Sequence, residues 1–251
     1  MRLDDGSAEL VSGLRLLKAS LPTEMPAPQG TPAGLAHSVQ PVLEVVAPVA
    51  SEGAGFSPNF VPLALWMGAV MTAFLFHFGR LPEQLMAAPR AATVAGRLVV
   101  PALVAAGQSL VMLAMLVGVL HVPVPRVLPF AATLLVASLV FLCLIFALVH
   151  LFGDVGKMAA VLLLVVQMSA AGALLPTELT PHLFQAIHQW LPLTWVIHAF
   201  RASLFGAYDG ALASAWVTML TTGAAALALA VVFGRWRPVP AESYRPTMEV
   251  D

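Results

Sequence analysis

Long apolar windows without charged side chains recur along the chain. The hydrocarbon core of a bilayer is about 30 Å thick and needs about 20 helical residues to cross it. Five windows come close to this length and contain no Asp, Glu, Lys or Arg: residues 59–79, 98–120, 127–151, 158–175 and 212–233. The pattern therefore predicts an all-α polytopic membrane protein with five transmembrane helices, of which the fourth is the shortest.

The stretch LLPTELTPHLFQAIHQW, residues 174–190, separates the last two windows. It has too many proline and polar residues to cross a bilayer, but it is too apolar for an ordinary loop. Thr180 and Pro181 form a favourable helix start, and Pro192 ends the segment. One face would carry the apolar residues Leu183, Phe184, Ile187, Trp190 and Leu191, and the other His182, Gln185, His188 and Gln189.

A second apolar stripe follows at helical spacing, with Gly206 at its end. It consists of Leu193, Ile197, Phe200 and Leu204, with His198 and Arg201 on the polar side. We expect two short amphipathic helices, about 181–191 and 193–205, at the outer membrane interface, because Trp and amphipathic helices favour that position.

The cations predict the orientation, because short loops rich in Lys and Arg remain in the cytoplasm. Seven cations fall on one side of the predicted spans: Arg80, Arg90, Arg97, Lys157, Arg235, Arg237 and Arg245. The loops of the other side contain only Arg126 and Arg201. The prediction is an external N-terminus and a cytoplasmic C-terminus.

The first 58 residues are therefore predicted to lie outside. Leucines at helical spacing near the start indicate the end of an extracytoplasmic helical domain, and a Pro- and Gly-rich linker follows. The first residues have neither the basic start nor the apolar core of a signal peptide. We therefore expect upstream sequence with at least one more span; the alternative is that the first span itself translocates a short N-terminus. The predicted domains are 1–58, the membrane domain 59–237 and a cytoplasmic tail 238–251.

The composition agrees with a membrane protein and argues against a nucleic-acid partner. Apolar residues make up 59% of the chain and charged residues 10%, whereas charged residues are about a quarter of soluble domains. The net charge is −1 and the twelve cations are scattered, so no nucleic-acid partner is expected. Cys143 is the single cysteine, which excludes an intrachain disulfide.

The predicted spans contain few polar residues that could transfer protons or bind a substrate. They contain no Asp, Glu, Lys or Arg, whereas ion- or proton-driven transporters usually keep such a residue near the middle of the membrane. Their mid-span polar groups more often join helices by hydrogen bonds than bind substrate. These groups are Gln108, Ser109, Ser138, Gln167 and Ser169.

Two further patterns suggest active chemistry but fit structural roles better. GDVGK, which contains Gly153, Asp154 and Lys157, lacks the spacing and the Ser or Thr of a phosphate loop. We interpret it as a tight cytoplasmic turn. His182 and His188 are six apart, a spacing that separates them on a helix, and no carboxylate cluster accompanies them. The sequence therefore predicts no metal site, no cofactor and no enzyme active site.

The order of these elements resembles a known family. The linker and GAGFSPNFVPLALWMGAV, the basic segment, and the block from LFGDVGKMAAV to FRASLFG resemble the C-terminal membrane domain of the YhgE/Pip (phage infection protein) family over about residues 40–233. PTELTPHLFQAIHQWLPLTWVIHAFRASL is the most specific part. It supplies the candidate residues at the outer mouth: Glu178, Pro181, Phe184, Gln185, Ile187, Trp190, Pro192 and Arg201.

That family is grouped with the membrane subunits of type-2 ABC exporters, which have six spans and two short outer helices before the last one. The resemblance implies that a first span and most of an outer domain precede this chain. It also implies that the segment with Arg80, Arg90 and Arg97 contains a coupling helix that contacts an ATPase. Residue pattern alone supports only a cytoplasmic, interfacial segment there.

The expected function is a permease-like subunit of a bacterial export system, in the bacterial cytoplasmic (inner) membrane. It would work as a homodimer in the lipid bilayer, with ATP hydrolysed by a separate subunit. An alternative is a non-transporting envelope scaffold or receptor, as the phage-infection name implies. A proton-coupled transporter is a third option, which the uncharged spans disfavour.

Overall fold

The computed structural model describes residues 52–171, 181–206, 210–244 and 247, together with the isolated positions 11 and 15. The chain divides into two units, Met1–Glu44 and Val45–Asp251, and the fold described below belongs to the second. Thr180 and Glu178 lie outside the described residues, as does the helical stripe predicted near the N-terminus.

Seven α-helices and two very short strands are present in the described part of the second unit. The helices are α1 Glu52–Leu75, α2 Arg90–Leu113, α3 Val127–Phe152, α4 Asp154–Ala170, α5 His182–Ile187, α6 Pro192–Phe205 and α7 Ala211–Phe233. A π-helical turn, Ala114–Val119, extends α2, and single 3-10 turns occur at Glu83–Leu85, His188–Trp190 and Ala241–Ser243. The strands β1, Arg80–Pro82, and β2, Arg237–Val239, pair in parallel.

Four helices in the described residues are long and apolar enough to cross a membrane: Gly53–Leu75, Arg90–Val119, Val127–Phe152 and Ala211–Phe233. They coincide with four of the five predicted windows, which confirms a polytopic α-helical membrane protein. The remaining window, 158–175, contains most of α4, which has 17 residues. Residues 172–175 lie outside the described part, so the fifth span stays a prediction.

Two helices begin earlier than the hydrophobic windows indicated. The helix α1 begins at Glu52, within the predicted linker, and contains Pro58 and Pro62. The helix α2 begins at Arg90 rather than at residue 98, so Pro101 lies inside it and not in its first turn. Helix formation does not require apolar side chains, and the Ala-rich sequence after Arg90 favours helix although it is not uniformly apolar. Hydropathy indicates which residues can lie in the lipid core, but it does not indicate where the helix begins.

The helix α3 is the centre of the bundle and packs against α1, α2, α4, α6 and α7. Its fully buried side chains include Phe130, Leu134, Phe141, Ile145 and Phe146. Edge-to-face aromatic pairs join it to its neighbours, with ring centroids 5.0 Å apart for Trp66 of α1 and Phe141, and 5.7 Å apart for Phe130 and Phe200 of α6. Such pairs add about 0.5–1.5 kcal/mol each beyond the area they bury.

A glycine allows α4 to cross closely over the end of α3. A Cβ on Gly156 would collide with the backbone carbonyl of Leu148 and lie 2.9 Å from the Cα atom of Val149. Both neighbours are backbone atoms, which cannot move aside without shifting a helix. The GDVGK turn therefore reverses the direction of the chain and also requires glycine at Gly156, where α4 packs on α3.

We expect Gly156→Ala to lower the thermal stability of the purified protein in detergent, because overpacking costs about 1–3 kcal/mol. Gly107→Ala is the matched control, since a Cβ there meets nothing within 4 Å. That change should leave stability unchanged or raise it by about 0.5–1 kcal/mol, because alanine favours a helix. Equal melting temperatures for the two variants would contradict the close crossing.

Candidate functional site

The predicted outer segment forms two helices that meet at Pro192. Pro181 precedes α5, and its carbonyl oxygen accepts hydrogen bonds from the N–H groups of Phe184 (2.9 Å) and Gln185 (3.2 Å). Pro192 is the first residue of α6, where a missing N–H costs little. Gly206 ends α6 in the left-handed region at φ 67°, as its position predicted.

The helix α6 belongs to the core of the bundle. Its predicted apolar stripe is fully buried: Leu193, Ile197, Phe200 and Leu204. It packs against α1, α3, α4 and α7. Thr194 and Ser203 are buried as well, whereas His198 and Arg201, the predicted polar side, are half-buried. Amphipathic docking at the membrane interface stays a prediction for this pair of helices.

The preceding helix, α5, presents its apolar side chains differently. Leu183 is 68% exposed and Trp190 is 79% exposed, whereas Phe184 and Ile187 are half-buried. Gln185 and His188 are half-buried too, and the His188 Nδ1 atom lies 2.6 Å from the Gln185 carbonyl oxygen. The described part of this chain therefore leaves an apolar edge at Leu183 and Trp190 uncovered.

Gln167 connects α4 to the start of α6. Its side chain is fully buried, and its Oε1 atom accepts a hydrogen bond from the Leu193 N–H at 3.0 Å. The first N–H groups of a helix have no partner within that helix. Gln167 supplies one, so this mid-span residue fixes where α6 begins.

Gln108 and two serines join the other helices. The Gln108 Nε2 atom donates to the Ala64 carbonyl oxygen of α1 at 2.9 Å, beside Gly68, where a Cβ would collide with this amide. Ser138 of α3 donates to the Ala105 carbonyl oxygen of α2 at 3.0 Å, and Ser109 lies 3.3 Å from the Leu134 carbonyl oxygen. These contacts agree with the predicted role in joining helices. Ser169 instead bonds to Val165 of its own helix.

Arg201 and His198 lie at the same end of the bundle as the start of α1. The Arg201 Nη2 atom donates to Asn59 Oδ1 at 3.3 Å. Burial lowers the pKa of His198, and the charges of Arg201 and His188 lower it further. The neutral imidazole is therefore favoured. In the described residues, no group of three or more His, Cys, Asp or Glu side chains could hold a metal ion.

The predicted turn lies at the opposite end of the bundle. Gly153 joins α3 to α4 at φ 66°, a conformation that favours glycine. Lys157 Nζ forms an ion pair of 3.0 Å with Asp154 Oδ1 and lies 5.3 Å from the centre of the Phe74 ring. The hydrogen bond and charge of Lys157 lower the pKa of the Asp154 carboxyl below its usual value. This ion pair agrees with an anchored turn.

Three arginines of the predicted coupling segment contact the end of the last span or the chain that follows it. Arg97 donates to the Tyr244 hydroxyl and to the Arg80 carbonyl oxygen, and its guanidinium lies 4.9 Å from the centre of the Tyr244 ring. Arg90 donates to the Val232 carbonyl oxygen at 2.9 Å, near the end of α7. Arg80 belongs to β1 and pairs with Arg237 of β2.

The sequence did not indicate that the chain after the last span packs against β1 and α3. The predicted tail, residues 238–251, begins within β2, which pairs with β1, and the Trp236 ring just before it packs at 4.1 Å from the His150 ring of α3. Strands of three residues are too short to show a recognisable alternation of apolar and polar side chains. The clustered arginines beside Trp236 and Tyr244 were the available signal, because guanidinium groups favour aromatic faces.

The fold defines a polytopic helical membrane protein. The family described as ABC-2 type transporter matches residues 60–205, more than half of the chain, and the chain belongs to that family. A relative, "Uncharacterized protein YhgE" of Bacillus subtilis (strain 168), is 31% identical over 156 residues, which cover 61% of this chain and 20% of the relative. No solved structure matches.

The family match confirms the expected resemblance to a YhgE-like membrane domain related to ABC-2 permeases. The chain spans about a fifth of the length of the relative it matches. The matched residues begin in α1 and end with α6. They include Gln108, Gln167 and the turn at Gly153, together with the described residues of the outer-mouth block.

We expect Gln167→Leu to destabilise the protein, because the buried Leu193 N–H loses its acceptor, at a cost of about 1–3 kcal/mol. Thermal unfolding of the purified variant in detergent measures this effect. Ser169→Ala is the control, since Ser169 is exposed and bonds within α4. If both variants melt at the same temperature, Gln167 does not fix α6.

Proposed function

We propose that this chain is the membrane-spanning, permease-like subunit of a bacterial ABC-type (type 2) export system. The match of residues 60–205 to the ABC-2 type transporter family carries the proposal. The predicted apolar windows contain no Asp, Glu, Lys or Arg, and Gln108 and Ser138 are used in contacts between helices. The energy would therefore come from a separate ATP-binding subunit.

The surface that would receive this subunit lies on the segment between α1 and α2. Leu85 and Met86 are about half exposed, at 50% and 48%, in the short turns that follow β1. With Arg90, Arg235 and Trp236, they line an open groove of ≈ 390 Å³. Apolar side chains fixed at the rim of a groove suit a protein partner better than free solvent.

The arginine contacts support force transmission through this segment. Arg97 ties the start of α2 to β1 and to Tyr244, and Arg90 ties it to the end of α7. A displacement at Leu85 would therefore reach two spans together. A loose loop would absorb the same displacement, so these contacts favour a coupling role.

We assign the end with these arginines to the cytoplasm and place the chain in the bacterial inner membrane as a homodimer. Among the described residues, that end carries Arg80, Arg90, Arg97, Lys157, Arg235 and Arg237, and the other end carries Arg126 and Arg201. The helices α2 and α7 bury the smallest parts of their apolar windows. They offer surface to lipid and to a second copy.

We expect Leu85→Asp combined with Met86→Asp to abolish co-purification with an ATP-binding subunit, because both changes place charge on the proposed docking surface. Pull-down of the tagged full chain from its own host, followed by mass spectrometry, measures the association. Val155→Asp is the control, since Val155 is exposed and lies at the same end of the bundle.

Retention of the subunit by the double variant would refute docking at Leu85 and Met86. Failure of the parent chain to capture any ATP-binding subunit, with capture of an envelope protein instead, would favour the scaffold or receptor function.

The orientation has its own test in single-cysteine variants made in a Cys143→Ala background. We expect a membrane-impermeant thiol reagent to label His182→Cys in intact cells and Glu83→Cys only after the membrane is opened. Both positions are exposed and occupy opposite ends of the bundle. Labelling of Glu83→Cys in intact cells would reverse the assigned orientation.

A further inference from the structure

A small basic cavity lies at the end of the bundle where α1 and α3 end and α4 begins. It has a volume of ≈ 80 Å³, and its lining includes Arg80, Gly153, Asp154, Lys157 and Arg237. Three of these side chains are cations and one is a carboxylate, which leaves two positive charges in excess. This volume holds a few water molecules or one small polyatomic group.

The two arginines are brought together by the backbone. Arg80 and Arg237 are direct partners in the parallel pairing of β1 and β2. Residues paired in this way point to the same face of a sheet, and like charges there destabilise the pairing. The strands nevertheless form, with a backbone hydrogen bond of 2.9 Å from the Arg237 N–H to the Gly79 carbonyl oxygen. An anion between the two guanidinium groups would turn this repulsion into attraction.

The remaining charges are already arranged around the cavity. Asp154 is paired with Lys157 and its side chain is 85% exposed, whereas that of Lys157 is only 17% exposed. The Arg237 Nη2 atom lies 3.5 Å from the position of a Cβ on Gly153. The guanidinium therefore lies against the bare backbone of Gly153 at the wall of the cavity.

The position of the cavity identifies the source of the anion. It lies beside the ends of three candidate spans, at Leu75, Phe152 and Phe233, which is the depth of lipid headgroups. The side chain of Phe152, which precedes the lining residue Gly153, is exposed, so apolar surface for an acyl chain lies next to the cationic groups. Basic pockets between transmembrane helices bind lipid headgroups through this combination.

We propose that this cavity is a binding site for the phosphate group of an anionic membrane lipid. Arg80 and Arg237 bind the phosphate oxygens from one side, and Lys157 adds charge from the other. The bound lipid neutralises the paired arginines and thereby stabilises the association of β1 with β2. This inference does not depend on transport or on an ATP-binding subunit.

The test uses the purified full chain in nanodiscs made with phosphatidylglycerol or with phosphatidylcholine of the same acyl chains. We expect phosphatidylglycerol to raise the melting temperature of the parent chain and to be retained in native mass spectrometry. The variant Arg80→Gln with Arg237→Gln should bind phosphatidylglycerol at least about tenfold more weakly, because it loses the charge-assisted hydrogen bonds to the phosphate oxygens.

The same variant controls for misfolding. In phosphatidylcholine it should melt no lower than the parent, because the repulsion between the arginines has been removed. Arg235→Gln is the matched control: it removes one cation from the same end of the bundle but does not line this cavity. It should retain nearly all of the stabilisation by phosphatidylglycerol.

Three outcomes would overturn the proposal. The first is an equal loss of lipid binding in Arg235→Gln and in the double variant, which would indicate general surface attraction. The second is a parent chain that does not distinguish the two lipids. The third is stabilisation by inorganic phosphate in phosphatidylcholine that matches the effect of phosphatidylglycerol, which would assign the site to a free anion.

Discussion

The close packing of helices around α3 is the interaction on which the rest of the structure depends. Lipid tails are as apolar as leucine, so helices within a bilayer associate through tight packing and hydrogen bonds rather than through the hydrophobic effect. Gly156 allows α4 to touch the backbone of α3, and Gly223 of α7 approaches Val140 of α3. The bulky aromatic side chains of α3 fill the space that remains. The bundle is therefore held together by the close fit of its helices, so its lipid-facing surface can remain apolar.

Polar groups inside the bundle serve the same architecture. Gln108, Ser138 and Gln167 each contact a backbone atom of a neighbouring helix. None of them carries a charge that could respond to a proton or an ion gradient. Apart from Arg90 and Arg97 in the first two turns of α2, the charged residues of the described part lie outside the four long spans, in the turns, in α6 and around the two short strands. Structural stability and the proposed energy coupling are thus located in different parts of the molecule.

Sequence pattern predicted the features that depend on local composition and left out those that depend on distant contacts. Apolar length predicted five spans, four of which are long helices in the described residues, and helical spacing grouped the residues from Leu193 to Leu204 that are buried in α6. The starts of α1 and α2 were placed too late, because helix formation at Glu52 and Arg90 extends beyond the apolar windows. The pairing of Arg80 with Arg237 and the packing of Trp236 on His150 join residues far apart in the chain, and neither leaves a local signature. The cationic character of that end was visible, but its geometry was not.

The parallel strands β1 and β2 have a consequence for biogenesis. β1 follows the first described span, whereas β2 follows the last one. During synthesis, β1 must wait without its partner until every intervening helix has entered the bilayer and the ribosome has produced β2. The small sheet can therefore close only after α7 has been synthesised, and a chain that stops before α7 has no partner for β1.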